Sequence, residues 1–127
     1  MTKILVADND REFRELVIFA LRFAGLFSLG CSNAEECLII ARQDQPDLIL
    51  LGDNLGNINA EDVCKTLQDN EGTASIAIVF LSAKGQVLDN QMIVDGCGLG
   101  IIDKRGTPDQ ITKQVIRYLR TAGTPNP

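Results

Sequence analysis

Five short apolar runs alternate with stretches of helical periodicity along the chain, and this alternation limits the fold more than any other feature. The predicted strands are Lys3–Ala7, Phe27–Cys31, Asp47–Leu51, Ile76–Leu81 and Leu99–Ile102. Strands that alternate with helices in this way form a parallel sheet covered by helices on both faces. We therefore predict an α/β domain over residues 1–122, a doubly wound (βα)5 sheet of five parallel strands. Residues 123–127 are predicted to be a disordered tail or the start of a linker.

Capping residues predict where the helices begin and end. Gly25 ends the first helix, Ser32 with Glu35 begins the second, and Asn59 begins the third. Thr107 with Pro108 begins the last helix, and another helix is predicted over residues 86–95. The apolar inner faces are predicted at Phe13, Leu16, Val17, Ala20 and Ala24, at Ala34, Cys37, Leu38 and Ala41, at Ala60, Val63, Cys64 and Leu67, and at Ile111, Val115 and Leu119.

Composition excludes several classes of function. The net charge of −5 argues against nucleic-acid binding. The absence of histidine excludes histidine-based catalysis and histidine-containing metal sites. Its four cysteines form no C-x-x-C pair, so we expect buried thiols in a reducing compartment. No signal peptide and no apolar run long enough to cross a membrane is found, so a cytoplasmic location is predicted.

Polar residues follow four of the predicted strands, at the sheet edge where α/β proteins place their functional groups. These ends are Asp8-Asn9-Asp10, Gly52-Asp53-Asn54, Ser82-Ala83-Lys84 and Asp103-Lys104. Together they resemble the receiver domain of bacterial two-component response regulators, from Lys3 to about Thr121. The resemblance implies a flavodoxin-like fold with strand order 2-1-3-4-5. It also implies an acidic pair and a strand-3 aspartate that hold Mg²⁺, the aspartate taking a phosphoryl group from a partner kinase.

The resemblance carries over to this sequence only in part. Asp8 matches the first acid of the pair, but Asn9 stands where the second acid belongs. Ser82 and Ala83 match the switch hydroxyl and its small neighbour, and Lys104 matches the lysine that grips the phosphoryl group. We interpret these five residues as the remnant of a phosphoryl pocket. With no metal present, Asp8 is predicted to form an ion pair with Lys104.

The phosphoacceptor position falls on Gly52. It lies six residues after Pro46, thirty before Ser82 and eight before Ala60, spacings that all agree with the family pattern. Neighbouring strand residues point to opposite sides, which opposes a substitution by Asp53, although a bulge at the strand end could re-aim that side chain. We therefore expect no catalytic residue and no firmly bound cofactor. If Mg²⁺ binds weakly, the expected ligands are Asp8, Asp53 and Asn54.

A partner surface is predicted on the 86–95 helix and the last strand. Apolar residues on this helix, among them Leu88, Met92 and Ile93, exceed what one inner stripe can bury, which indicates either a wide core contact or an exposed patch for a partner. The resemblance implies that this helix, the last strand and the last helix form the output face, and Arg105 follows that strand. The first helix shows a similar excess at Ile18 and Phe19.

These observations favour an atypical receiver domain that is not phosphorylated at the usual position. It is predicted to be a non-enzymatic interaction module of a phosphorelay pathway, binding a sensor kinase, an output domain or a second copy of itself, with no contact to nucleic acid or membrane. One alternative is a phosphorylation-competent switch that uses Asp53. A more remote one is a small flavodoxin-like nucleotide or flavin binder, although the loop Gly52–Gly56 lacks the P-loop signature.

Overall fold

The computed structural model describes residues 1–53, 55–56, 58–83 and 98–122. Its strands are β1 (Lys3–Ala7), β2 (Phe27–Cys31), β3 (Leu48–Gly52), β4 (Ala77–Ser82) and β5 (Gly100–Asp103). Its helices are α1 (Arg11–Phe23), α2 (Ala34–Asp44), α3 (Ala60–Asp69) and, following β5, α4 (Pro108–Thr121). The helix predicted over residues 86–95 and the tail predicted over residues 123–127 lie outside the described residues.

The strands form one parallel sheet in the order β2-β1-β3-β4-β5. All five residues of β3 are buried, as expected for a central strand with helices on both faces. Two apolar clusters, one on each face of the sheet, form the core. One contains Ile49 and Leu51, and the other contains Leu48 and Leu50. The predicted fold class and strand order are confirmed.

The last three strands begin and end one residue later than predicted. Each gains a small or polar terminal residue, because pairing with the neighbouring strand, not apolarity, sets where a strand ends. Gly52 pairs with Leu81 and Ser82 pairs with Asp103 in the ladder. At the other end of β4, the backbone N–H of Ile76 donates to the carbonyl of Thr73 in a turn, 3.1 Å away.

Two of the predicted helix starts are confirmed and one is wrong. Asn59 caps α3, and Thr107 forms a capping box with Gln110 at the start of α4. The cap of α2 is Asn33, whose side chain accepts a hydrogen bond from the N–H of Glu36 at 2.8 Å, and not Ser32. The Glu36 carboxylate instead accepts from the Ser32 hydroxyl, which lowers the pKa of Glu36.

The inner face of α1 differs from the prediction. Val17 is buried as expected, but the other buried residue of the helix is Leu21, while Leu16 is 53% exposed and Ala24 is also exposed. Apolar residues occur on both sides of this helix, so two different faces fit a 3.6-residue period and periodicity could not choose between them. In the described part of the chain, no helix is long and apolar enough to cross a membrane.

Candidate functional site

The carboxyl ends of β1, β3, β4 and β5 meet at one edge of the sheet. The parallel register sets Ala7 beside Leu51 and Ser82 beside Asp103. Residues that follow these strands in sequence are therefore brought together in space, as the topology predicts.

Asp8 and Lys104 form a buried ion pair at this edge. Lys104 Nζ lies 2.9 Å from Asp8 Oδ2, and the two side chains are only 16% and 3% exposed. Oδ1 of Asp8 accepts a hydrogen bond from the N–H of Asp10 at 2.8 Å. Lys104 Nζ also lies 4.6 Å from the centre of the Phe13 ring, so the ammonium is held by a carboxylate and an aromatic face. The predicted pairing is confirmed.

Asp8 also fills the space that a side chain at position 52 would need. A Cβ atom placed on Gly52 would lie 2.5 Å from Asp8 Oδ2 and 2.9 Å from Asp8 Cγ. It would also lie 3.0 Å from the carbonyl oxygen of Ala7, which belongs to the backbone of β1 and cannot turn away. The position that the resemblance assigns to the phosphoacceptor thus has neither a side chain nor room for one.

Asp53 turns towards the end of β4. Its Oδ2 accepts a hydrogen bond from the Ser82 hydroxyl at 3.4 Å and another from the N–H of Ala83 at 3.3 Å. Alternation along a strand argued against this orientation, but β3 ends at Gly52 and Asp53 lies in a bend, where the alternation no longer applies. Only the strand-end bulge, considered as an alternative in the sequence analysis, pointed towards these two contacts.

The donor set at this edge does not suit Mg²⁺. The ammonium of Lys104, 2.9 Å from Asp8 Oδ2, already balances the charge of Asp8. Gly52 offers no ligand, and Asn9 is an exposed amide. Among the described residues, no three acidic or cysteine side chains converge as a metal site would require. Asn54, the third ligand considered from the sequence, lies outside the described residues.

Arg105 is the described member of the predicted partner surface. It is exposed, and its guanidinium binds the Asp103 carboxylate at 2.9 and 2.7 Å. This contact lowers the pKa of Asp103 to about 2 and raises the pKa of Arg105. The other predicted members, Leu88, Met92 and Ile93, lie outside the described residues.

The described cysteines are buried thiols. Cys37 lies against Cys31, and both this hydrogen-bonded neighbour and burial raise the Cys37 pKa, so its thiol stays protonated. Cys64 is buried in the same apolar cluster. These thiols pack as small apolar side chains, as predicted.

Comparison with known sequences identifies relatives over most of the chain. The family description "response regulator receiver domain" matches residues 4–116. The phosphate regulon transcriptional regulatory protein PhoB of Pseudomonas aeruginosa is 30% identical over 123 residues, covering 94% of this chain and 52% of PhoB. The DNA-binding response regulator MtrA of Mycobacterium tuberculosis is 30% identical over 118 residues, covering 93% of this chain and 50% of MtrA. The chain thus spans about half the length of these curated relatives.

Solved structures show the same fold. A response regulator from Desulfuromonas acetoxidans superposes with a TM-score of 0.83 at 25% identity, covering 95% of this chain and 98% of that one. A CheY-like receiver domain protein from Methanospirillum hungatei gives a TM-score of 0.85 at 14% identity, covering 97% of both chains, and supports the fold alone. With the family match, the sheet order and the residues at the carboxyl edge in agreement, this chain belongs to the response regulator receiver domain family.

Proposed function

We propose that this receiver domain signals through contacts with protein partners and takes no phosphoryl group at position 52. The observation that carries the proposal is the place of Asp8, whose carboxylate lies 2.5 Å from where the Cβ of any residue 52 side chain would be. Phosphoryl transfer to a receiver needs a carboxylate nucleophile there, and glycine supplies none.

The charge at the edge supports the same proposal. An incoming phosphoryl group needs cations to neutralise it, and Lys104 is already paired with Asp8. Releasing the lysine would leave the nearly inaccessible carboxylate of Asp8 without its counter-ion, which is costly. The domain is therefore a non-enzymatic module whose binding surface is set by sequence.

The partner is proposed to be a sensor kinase, an output domain or a second copy of the chain. The relatives PhoB and MtrA are named as transcriptional or DNA-binding regulators, and each is about twice as long as the matched region. We assign residues 1–122 to the receiver unit and propose no nucleic-acid contact for it, because its net charge is negative. The buried thiols of the described cysteines fit a reducing cytoplasm.

A second candidate function is a phosphorylation switch that uses Asp53. It is favoured by the two contacts of Asp53 with Ser82 and Ala83, the residues that the family resemblance assigns to phosphoryl binding. No comparable observation favours a flavin or nucleotide binder, and membership of the receiver family argues against it.

Intact-protein mass after incubation with Mg²⁺ and acetyl phosphate tests both candidates. We expect the wild-type mass to stay unchanged, since no nucleophile is present at position 52. A gain of one phosphoryl group that disappears in Asp53→Asn would overturn the proposal in favour of the switch. Asp103→Asn is the matched control, because it removes a carboxylate from the same edge whose side chain binds Arg105.

A further inference from the structure

Three described groups that could hold an anion at the carboxyl edge are already bound by carboxylates of the chain. Lys104 binds Asp8, while the Ser82 hydroxyl and the Ala83 N–H both donate to one oxygen of Asp53. We propose that Asp53 is a built-in anionic ligand for the end of β4, a positioning residue that holds Ser82 and Ala83 in their anion-bound arrangement. This inference rests on the proposed function and names the residue that fixes the signalling surface.

The geometry of the donors supports this role. A hydroxyl and the next backbone N–H converge on Asp53 Oδ2, at 3.4 and 3.3 Å. Convergent donors of this kind are how proteins hold the oxygen of an anion, and at these distances each contact is a long, modest hydrogen bond. Ser82 is fully buried and Asp53 is partly exposed, so the carboxylate reaches inward from the surface to the donors.

The described cations at this edge pair with carboxylates other than Asp53. Lys104 is engaged by Asp8, and among the described residues Asp53 makes no ion pair. The bend that follows Gly52 allows the side chain to leave the alternating pattern of β3. The backbone N–H of Lys104 donates to the Ser82 carbonyl at 2.9 Å, so the arrangement at Ser82 is linked directly to the end of β5.

The test follows the Ala83 amide by NMR in variants of the full chain. In Asp53→Ala, its hydrogen exchange should accelerate about fivefold, since one modest hydrogen bond is lost. Asp53→Asn keeps an acceptor oxygen without the charge and should give an intermediate rate. The amide of Leu50 in the buried central strand reports global stability and should not respond.

Asp103→Ala is the matched control, since Asp103 ends the neighbouring strand and pairs with Arg105. An Ala83 exchange rate unchanged in Asp53→Ala, or raised equally by Asp103→Ala, would overturn the inference. A proportional rise at both Ala83 and Leu50 would also overturn it, because that pattern reports general loss of stability. None of these readouts depends on phosphorylation, so the inference and the proposed function can fail separately.

Discussion

The carboxyl edge of the sheet has two halves that are held in different ways. The inner half, made by Asp8, Gly52 and Lys104, contains a nearly inaccessible ion pair at 2.9 Å. The outer half, made by Asp53, Ser82 and Ala83, is joined by hydrogen bonds of 3.3 and 3.4 Å to a partly exposed carboxylate. Position 52 is therefore closely packed against a buried ion pair, while Asp53 is held by two longer hydrogen bonds nearer the surface.

Breaking the inner ion pair should have the largest effect. Lys104→Met removes the cation and leaves the Asp8 carboxylate uncompensated at 3% exposure, so we expect a loss of about 3 kcal/mol in the free energy of unfolding. Urea denaturation measures it.

Lys113→Met is the matched control for that variant. Lys113 pairs with Asp109 in a contact whose side chains are 70% and 75% exposed, and its loss should cost under about 0.5 kcal/mol. Equal losses of unfolding free energy in Lys104→Met and Lys113→Met would contradict the claim that the buried ion pair contributes more than an exposed one.

Adding a methyl group to Gly52 should have the next largest effect. The new Cβ would meet Asp8 and the backbone of Ala7, so Gly52→Ala should destabilise the fold by about 2 kcal/mol. At an unobstructed site the same change stabilises by about 0.4–1 kcal/mol, so the sign of the effect in thermal or urea unfolding is decisive.

Gly72→Ala supplies the control for that substitution. A Cβ at Gly72 would have its nearest neighbour, Asn70 Oδ1, at 3.4 Å, which is ordinary contact, and we expect little change in stability. If Gly52→Ala were as stable as Gly72→Ala, the space at position 52 would be open and the comparison between the two halves would be wrong.

The smallest expected effect concerns the exposed pair beside the edge. Arg105→Ala should raise the pKa of Asp103 from about 2 towards its ordinary value of 3.8, because the guanidinium that stabilises the carboxylate is lost. In the wild type, the pair contributes stability above the unfolded pKa and loses it as the pH falls through about 2. NMR titration of the Asp103 carboxyl measures the shift, and an unchanged pKa would show that Arg105 does not hold it.

The alternation of apolar runs and helical periods was enough to predict the sheet. It placed β1 and β2 at their observed bounds and the other three strands one residue early. The error has one cause, since Gly52, Ser82 and Asp103 are paired in the ladder without being apolar. At α1, the exposed Phe19 and Phe23, at 72% and 87%, lie on a second apolar face, and only the folded sheet decides which face is buried.

The candidate site was predictable where it depended on topology. The parallel sheet places Asp8 and Lys104 at the same edge, although β3 and β4 lie between their strands. Their contact was expected from the resemblance and from the need to compensate two buried charges, and it is found at 2.9 Å. The orientation of Asp53 was not predictable, because it depends on a bend immediately after Gly52. The lack of space at position 52 could not be predicted from the sequence either, because it depends on the side-chain conformation of Asp8.

Whether the carboxyl edge accepts a phosphoryl group can be measured by two-dimensional NMR of the ¹⁵N-labelled protein, recorded with and without Mg²⁺ and acetyl phosphate. The spectra report covalent and non-covalent occupation of the edge, including a labile phosphoryl group. We expect unchanged amide signals for Gly52, Ser82, Ala83 and Lys104. Shifts concentrated at these four amides would show that the edge accepts a phosphoryl group, and would contradict the proposal of a domain that signals without phosphorylation.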